Sequence, residues 1–409
     1  MQHVLSRLLV CSVVACTGSN ATEPAVDAGP DPDDPPGDAG RDPDPDPDPG
    51  LDAGLPPDGG TLPAGCSWRT FQIGTTPWAG NGVALAVSAT GEHAVMFEAI
   101  LAGRRDLVVG RLSGTTVTVQ PYGLTLIPNS STGIAGVFGS GGALHIAYTN
   151  QQDNSSTNGG LSYSAGPGQS VFLDGAGLFG SVGTPAAALG GDGKLRIAYV
   201  VFNGAFDRRV AVATGSGTAF SIQAALIDNR LVNTPTIALD AAGRAHVIVE
   251  QFENPVFHVS EVGTGWSAPD LVMADGGFAF SGSMAIAADG TIQLSRRDSG
   301  QIIRAHGTAN AWQSERLTHA AAQVGPDPGA LAATVDHTGR LFVAWADTTG
   351  RRMFVTELGK APVEVPVTIA AGTRIREIAA TPSPDGVRIA FTAAPQFGEP
   401  REVFTSRCE

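Results

Sequence analysis

Thr236-Ile237-Ala238-Leu239-Asp240-Ala241-Ala242-Gly243-Arg244-Ala245-His246-Val247-Ile248-Val249-Glu250 is one statement of a phrase that decides the fold. It joins a short apolar strand, a tight turn ending in glycine, and a second apolar strand. The phrase recurs with turn glycines at Gly91, Gly142, Gly193, Gly243, Gly290, Gly339 and Gly386, at spacings of 51, 51, 50, 47, 49 and 47 residues. A period of that length is one four-stranded propeller blade, so seven phrases predict an all-β, seven-bladed β-propeller. The glycines supply the positive φ of a tight hairpin and are not phosphate cradles.

Outward from this stretch, Val256–Val262 gives a third strand and residues 266–273 an outermost one. Apolar residues crowd the inner pair, which has neighbours on both faces, and alternate with polar ones in the outer pair. The last repeat is one strand short, because residues 375–381, 387–392 and 401–406 exhaust the chain. Trp68-Arg69-Thr70-Phe71-Gln72-Ile73 aligns with the outer strands that open at Trp266 and Trp312, and so completes it. Antiparallel pairing of this segment with residues 401–406 closes the ring. It also sets Cys66 opposite Cys408, which predicts a disulfide between them.

The domain reading is therefore residues 66–409 as the propeller, preceded by two segments. Residues 1–15 have the three parts of an export signal: Arg7, the apolar run of residues 8–14, and Val13-Val14-Ala15 before Cys16. The run is too short to span a bilayer. Val13-Val14-Ala15-Cys16 resembles the bacterial lipobox, which implies that Cys16 is acylated and becomes the first residue. Thr17 after it implies an outer-membrane address, with the protein reaching the membrane through a lipid anchor. Residues 16–65 are Asp, Pro, Gly and Ala with almost nothing to bury, including Asp42-Pro43-Asp44-Pro45-Asp46-Pro47-Asp48-Pro49. Such sequence reads as an unfolded, stiff tether with an upper reach on the order of 150 Å.

Charge separates along the same boundary. Residues 17–65 hold 12 acidic residues and one basic one, whereas residues 66–409 hold 27 acidic and 23 basic, a formal charge of −4. A near-neutral body without a lysine or arginine block excludes an electrostatic nucleic-acid footprint. The aspartate-proline run lacks the glycine and terminal glutamate of an EF-hand, so no calcium site is expected there.

In a propeller the loops joining strand 2 to strand 3 and strand 4 to the next strand 1 share one face, where ligands usually sit. Near the end of strand 2 most blades carry an aromatic residue, at Phe97, Tyr148, Tyr199, Trp345 and Phe391. The fifth blade places Arg296 there, followed by Arg297 and Asp298, and the fourth places Val249 and Glu250. Arginine pairs also open or precede strand 3 at Arg104-Arg105, Arg208-Arg209 and Arg351-Arg352. These guanidiniums are candidates to ring one face and hold a carboxylate, sulfate or phosphate. The competing reading is of solvated strand ends paired with Asp106, Asp207, Asp298 or Asp347. His145 and His246 occupy the same position two blades apart and cannot share a metal; His258 and His306 fall on outer strands. The histidines read as structural, with no metal or cofactor expected and no triad signature.

Ser383-Pro384-Asp385-Gly386-Val387-Arg388-Ile389-Ala390-Phe391 resembles the repeat of TolB-type periplasmic propellers. More broadly the chain is similar to bacterial lipid-anchored propellers of the sialidase-like group. It lacks that group's Ser-x-Asp-x-Gly-x-Thr-Trp box and Phe-Arg-Ile-Pro segment, and its four tyrosines offer few nucleophiles. The favoured expectation is a monomeric, noncatalytic module that binds a glycan or protein. The alternatives are a glycan-acting hydrolase or lyase and an envelope-assembly component.

Overall fold

The computed structural model describes residues 67–76, 83–126, 133–151, 159–175, 185–202, 208–228, 235–250, 255–274, 279–298, 301–317, 330–383, 386–395 and 400–409. The export signal, Cys16, the tether and Cys66 lie outside the described residues. So do the central residues of most loops on the expected ligand face.

Seven antiparallel sheets form, one per phrase, in a ring without a helix among the described residues. Blade 1 runs Ala84–Val87, His93–Leu101, Arg104–Ser113 and Thr116–Leu126. Blade 4 runs Thr236–Leu239, Ala245–Glu250 and Val256–Val262, and its outer strand is split into Gly265–Trp266 and Asp270–Met273. The expected outer strand of residues 266–273 is thus broken at Pro269, whose missing N–H cannot continue the ladder.

Six of the seven phrase glycines, all but Gly386, have φ between 73° and 85°. At Gly243 the N–H donates to the Asp240 carbonyl at 2.9 Å, and the Asp240 N–H donates to Arg244 at 3.0 Å, closing a three-residue loop on a left-handed glycine. Gly386 is the exception: it already belongs to a strand and pairs with Ser383.

The core is divided as a ring of blades requires. Seven separate apolar clusters occur, one between each pair of neighbouring blades, including the pair formed by the last blade and the first. Phe97, Tyr148, Tyr199, Trp345 and Phe391 are each no more than 2 % exposed and lie within these clusters, so inter-blade packing accounts for them.

Closure follows the expected pairing in kind and departs from it in register. Trp68–Thr76 pairs antiparallel with Arg401–Cys408, and the last blade reads outward as Arg374–Ser383, Gly386–Ala394, Arg401–Cys408 and Trp68–Thr76. Trp68, not Cys66, stands opposite Cys408, two residues from the expected register. The strand runs three residues further than anticipated and carries a bulge between Gln72 and Gly74.

The bulge leaves Ile73, 4 % exposed, wedged against the first blade. A Cβ at Gly110 would meet Ile73 Cγ2 at 2.0 Å. Gly110→Ala is therefore expected to destabilise the protein by about 1–3 kcal/mol through overpacking. Adding Ile73→Ala should recover part of that loss in a double-mutant cycle of urea unfolding. Additive effects would contradict this seam.

Candidate functional site

The arginines singled out by sequence divide into three groups. Arg104, Arg208, Arg297 and Glu250 have their backbones on strands, but their side chains lie outside the described residues. Arg296 is 0 % exposed. Its stem crosses Gly282, where a Cβ would lie 3.2 Å from Arg296 Cγ and 2.7 Å from Thr236 Oγ1. Absence of a side chain at Gly282 thus makes room for an engaged guanidinium between blades 4 and 5.

The remaining arginines are held by acids or stand at the surface. Arg105 Nη1 lies 2.8 Å from Glu98 Oε1, with the Glu98 side chain only 1 % exposed. Arg352 is exposed and doubly bonded to Glu364, at 2.9 and 2.5 Å, with its guanidinium 4.9 Å from the Phe354 ring centre. Arg351 is exposed, and its N–H caps Asp347 at 3.0 Å. Arg209 is half-buried near Tyr199. Arg401, which the sequence did not single out, is 2 % exposed and meets Glu377 at 3.0 Å. Glu98, Glu364 and Glu377 thus hold Arg105, Arg352 and Arg401, whereas Asp207 and the side chain of Asp298 lie outside the described residues. Asp347 serves backbone N–H groups instead.

Two tyrosines join this pattern. Tyr199 donates to Asp174 Oδ2 at 2.7 Å across the seam between blades 2 and 3, and Tyr148 shares a 2.5 Å bond with Ser170. Burial pushes both phenols above their ordinary range; the Asp174 acceptor raises Tyr199 further. Among the described residues no cluster of three or more His, Cys, Asp or Glu side chains is placed to hold a metal ion.

A polar chain that the sequence reading missed runs through blade 4 into blade 5. Arg244 Nε donates to Asp240 Oδ2 at 2.7 Å, and His246 Nε2 faces the same oxygen at 3.5 Å. His246 Nδ1 and His258 Nε2 are 3.0 Å apart, with the rings stacked at 16°. His258 Nδ1 faces Asp270 Oδ2 at 3.7 Å. That oxygen also accepts Trp312 Nε1–H at 2.7 Å and the Asn310 N–H at 2.6 Å. Burial lowers the affinity of both imidazoles for a proton, taking His258 to about 4. The residues could be found in sequence only by laying Ala245–Glu250 against Val256–Val262, since His246 pairs with Ser260 and leaves His258 two places along.

No protein-family model matches the chain, and no curated protein matches it. Solved structures do. The polysaccharide lyase Uly1 superposes with a TM-score of 0.52 at 11% identity, covering 83% of this chain and 98% of that one. Virginiamycin B lyase from Staphylococcus aureus gives 0.47 at 12% identity, covering 83% and 99%. The Aleuria aurantia lectin AAL gives 0.48 at 14% identity, covering 73% and 99%. At 11% identity the likeness to Uly1 is one of fold alone.

Proposed function

We propose that the protein is a lipid-anchored envelope or surface propeller that acts as a noncatalytic binding module for a glycan or a protein. The observation that carries this reading is the state of its ionisable groups among the described residues. On the ligand side of the blades Glu98, Glu364 and Glu377 each hold an arginine and Asp174 holds a phenol. Acids already committed to partners stiffen a surface; a general acid and base need a free lone pair or proton within reach of substrate. Tyr148 and Tyr199 are held protonated by burial, which makes them poor nucleophiles.

The anchor in this reading is Cys16 in the outer membrane, and the aspartate-proline tether stands the monomeric ring off the lipid. We infer also that Cys66 and Cys408 are joined. Cys408 is engaged and not a free thiol, and Cys66 is the only other cysteine in residues 66–409.

Incubating the purified full chain with a panel of polysaccharides tests the function. Retention of at least one glycan without new reducing ends or unsaturated products is expected. Time-dependent products would overturn the reading in favour of a hydrolase or lyase, and retention of none would overturn its glycan half.

A further inference from the structure

Between the outer strands of blades 4 and 5 lies an open cleft of about 500 Å³, lined by Pro269–Ala274 on one side and Asn310, Trp312 and Ser314 on the other. That volume falls within the range of about 300–1,000 Å³ typical of small-molecule pockets. Its floor is the Asp270 carboxylate, 9 % exposed. Oδ2 is saturated by the Trp312 indole and the Asn310 backbone N–H, so the side chain is fixed in place. No bond to Oδ1 occurs among the described residues, which leaves an oriented acceptor.

The outer-strand tryptophans of other blades emphasise the arrangement. Trp68 and Trp266 bury their indole N–H without an acceptor, and of the three only Trp312 is given one. Asn310 adopts φ 62°, one of two non-glycine residues with positive φ among the described ones, and its N–H is the group that Asp270 accepts. Asn310 thus fills the left-handed turn position that other blades give to Gly114, Gly168, Gly217 and Gly263, and the turn aims its N–H at Asp270.

The lining chooses the ligand class. A carboxylate floor repels anions, and Arg316, two residues beyond Ser314 on the same face of its strand, disfavours a cation. Leu271, 51% exposed, with Met273 and the half-buried indole of Trp312, gives an apolar wall beside the Asn310 amide and the Ser314 hydroxyl. An apolar face next to a fixed acceptor and neutral donors matches a ring that is apolar on one side and hydroxylated at its edge. From this juxtaposition we propose that the cleft between Asp270 and Trp312 is a binding site for a neutral saccharide ring, with Asp270 Oδ1 accepting ligand hydroxyls.

The proposal rests on the reading of the protein as a glycan-binding module and adds a location to it. The test is saturation-transfer NMR of the full chain with neutral hexoses, 6-deoxyhexoses and N-acetylhexosamines, alongside sulfate and tetramethylammonium. Signals from at least one neutral sugar are expected and none from either ion. Asp270→Asn should weaken that sugar at least about tenfold, the scale of a hydrogen bond to a charged group. Ser314→Trp, at an exposed position, should abolish binding by filling the cleft and decides the matter if Asp270→Asn unfolds. Glycan binding that both variants leave intact would overturn this site and spare the module reading. No glycan binding at all would overturn both, and tetramethylammonium binding in place of sugars would overturn the ligand class.

Discussion

Deletion of residues 67–76 is expected to abolish cooperative unfolding, although nothing in the other six blades is touched. The segment supplies the fourth strand of the last blade through eight paired positions. It also buries Trp68 in the seam between blades 6 and 7 and Ile73 in the seam between blades 7 and 1. Each buried side chain is worth about 1.5–3 kcal/mol. Losing both, the ladder, and the cover over Val403 and Phe404 approaches the about 5–15 kcal/mol by which a folded domain is stable. Urea unfolding followed by circular dichroism should show no sigmoidal transition, and a synthetic peptide of residues 66–76 should restore one. The inferred covalent link makes a smaller, separable contribution. Bridging a loop of more than 300 residues between Cys66 and Cys408 stabilises by about 6 kcal/mol in the chain-entropy model. Cys408→Ser should therefore keep a cooperative transition at lower urea, and reductant should move the unmodified protein to the same midpoint. A deletion variant that melts like the intact protein would refute closure by this strand. Two alkylatable thiols in the native, unreduced protein would refute the bridge.

Closure was legible because a four-stranded period leaves an arithmetic remainder, three strands at one end and one at the other. Its register was not. At Gly74, next to the bulge, a Cβ would lie 2.9 Å from Phe97 Cζ, a close approach to a residue of another blade that no local pattern in the strand reveals. The turn glycines were readable for the opposite reason: the constraint is local, a positive φ within three residues. Arg296 stood out as an arginine in a position that other blades give to an aromatic ring, yet the space that accepts it comes from Gly282 on the neighbouring strand. For Arg105 the adjacent Asp106 was the obvious partner by proximity. Strand alternation turns neighbours to opposite faces, and Glu98, across the Ala102-Gly103 hairpin, takes the ion pair instead. His246, His258, Asp270 and Trp312 stayed hidden because they meet only when two strands of one blade and the edge of the next are laid together.

That hidden chain makes stability depend on pH in a definite window. His258 falls from 6.5 in the unfolded chain to about 4 in the ring, chiefly through burial and next through the neighbouring His246. Asp270 beside His258 and Asp240 beside His246 pull the other way but offset this only in part, because Asp240 is also held by Arg244 and Asp270 Oδ2 by Trp312 and Asn310. Between pH 6.5 and 4 the unfolded chain thus binds a proton that the native one refuses, and stability falls as pH drops through that interval. The loss approaches about 3 kcal/mol near pH 4, at about 1.4 kcal/mol for each unit of displacement. His246 is displaced in the same direction and steepens the slope. Asp240, Asp336 and Asp347, all lowered from 3.8, add their losses only below that range, so the two effects separate. Urea unfolding at pH 7, 5.5 and 4.5 should show a falling midpoint for the unmodified protein and a flatter one for His258→Gln, whose amide cannot take up the proton. Equal slopes in the two proteins would mean that the imidazole pair is not buried against protons, and that Asp270 is not fixed in the environment described.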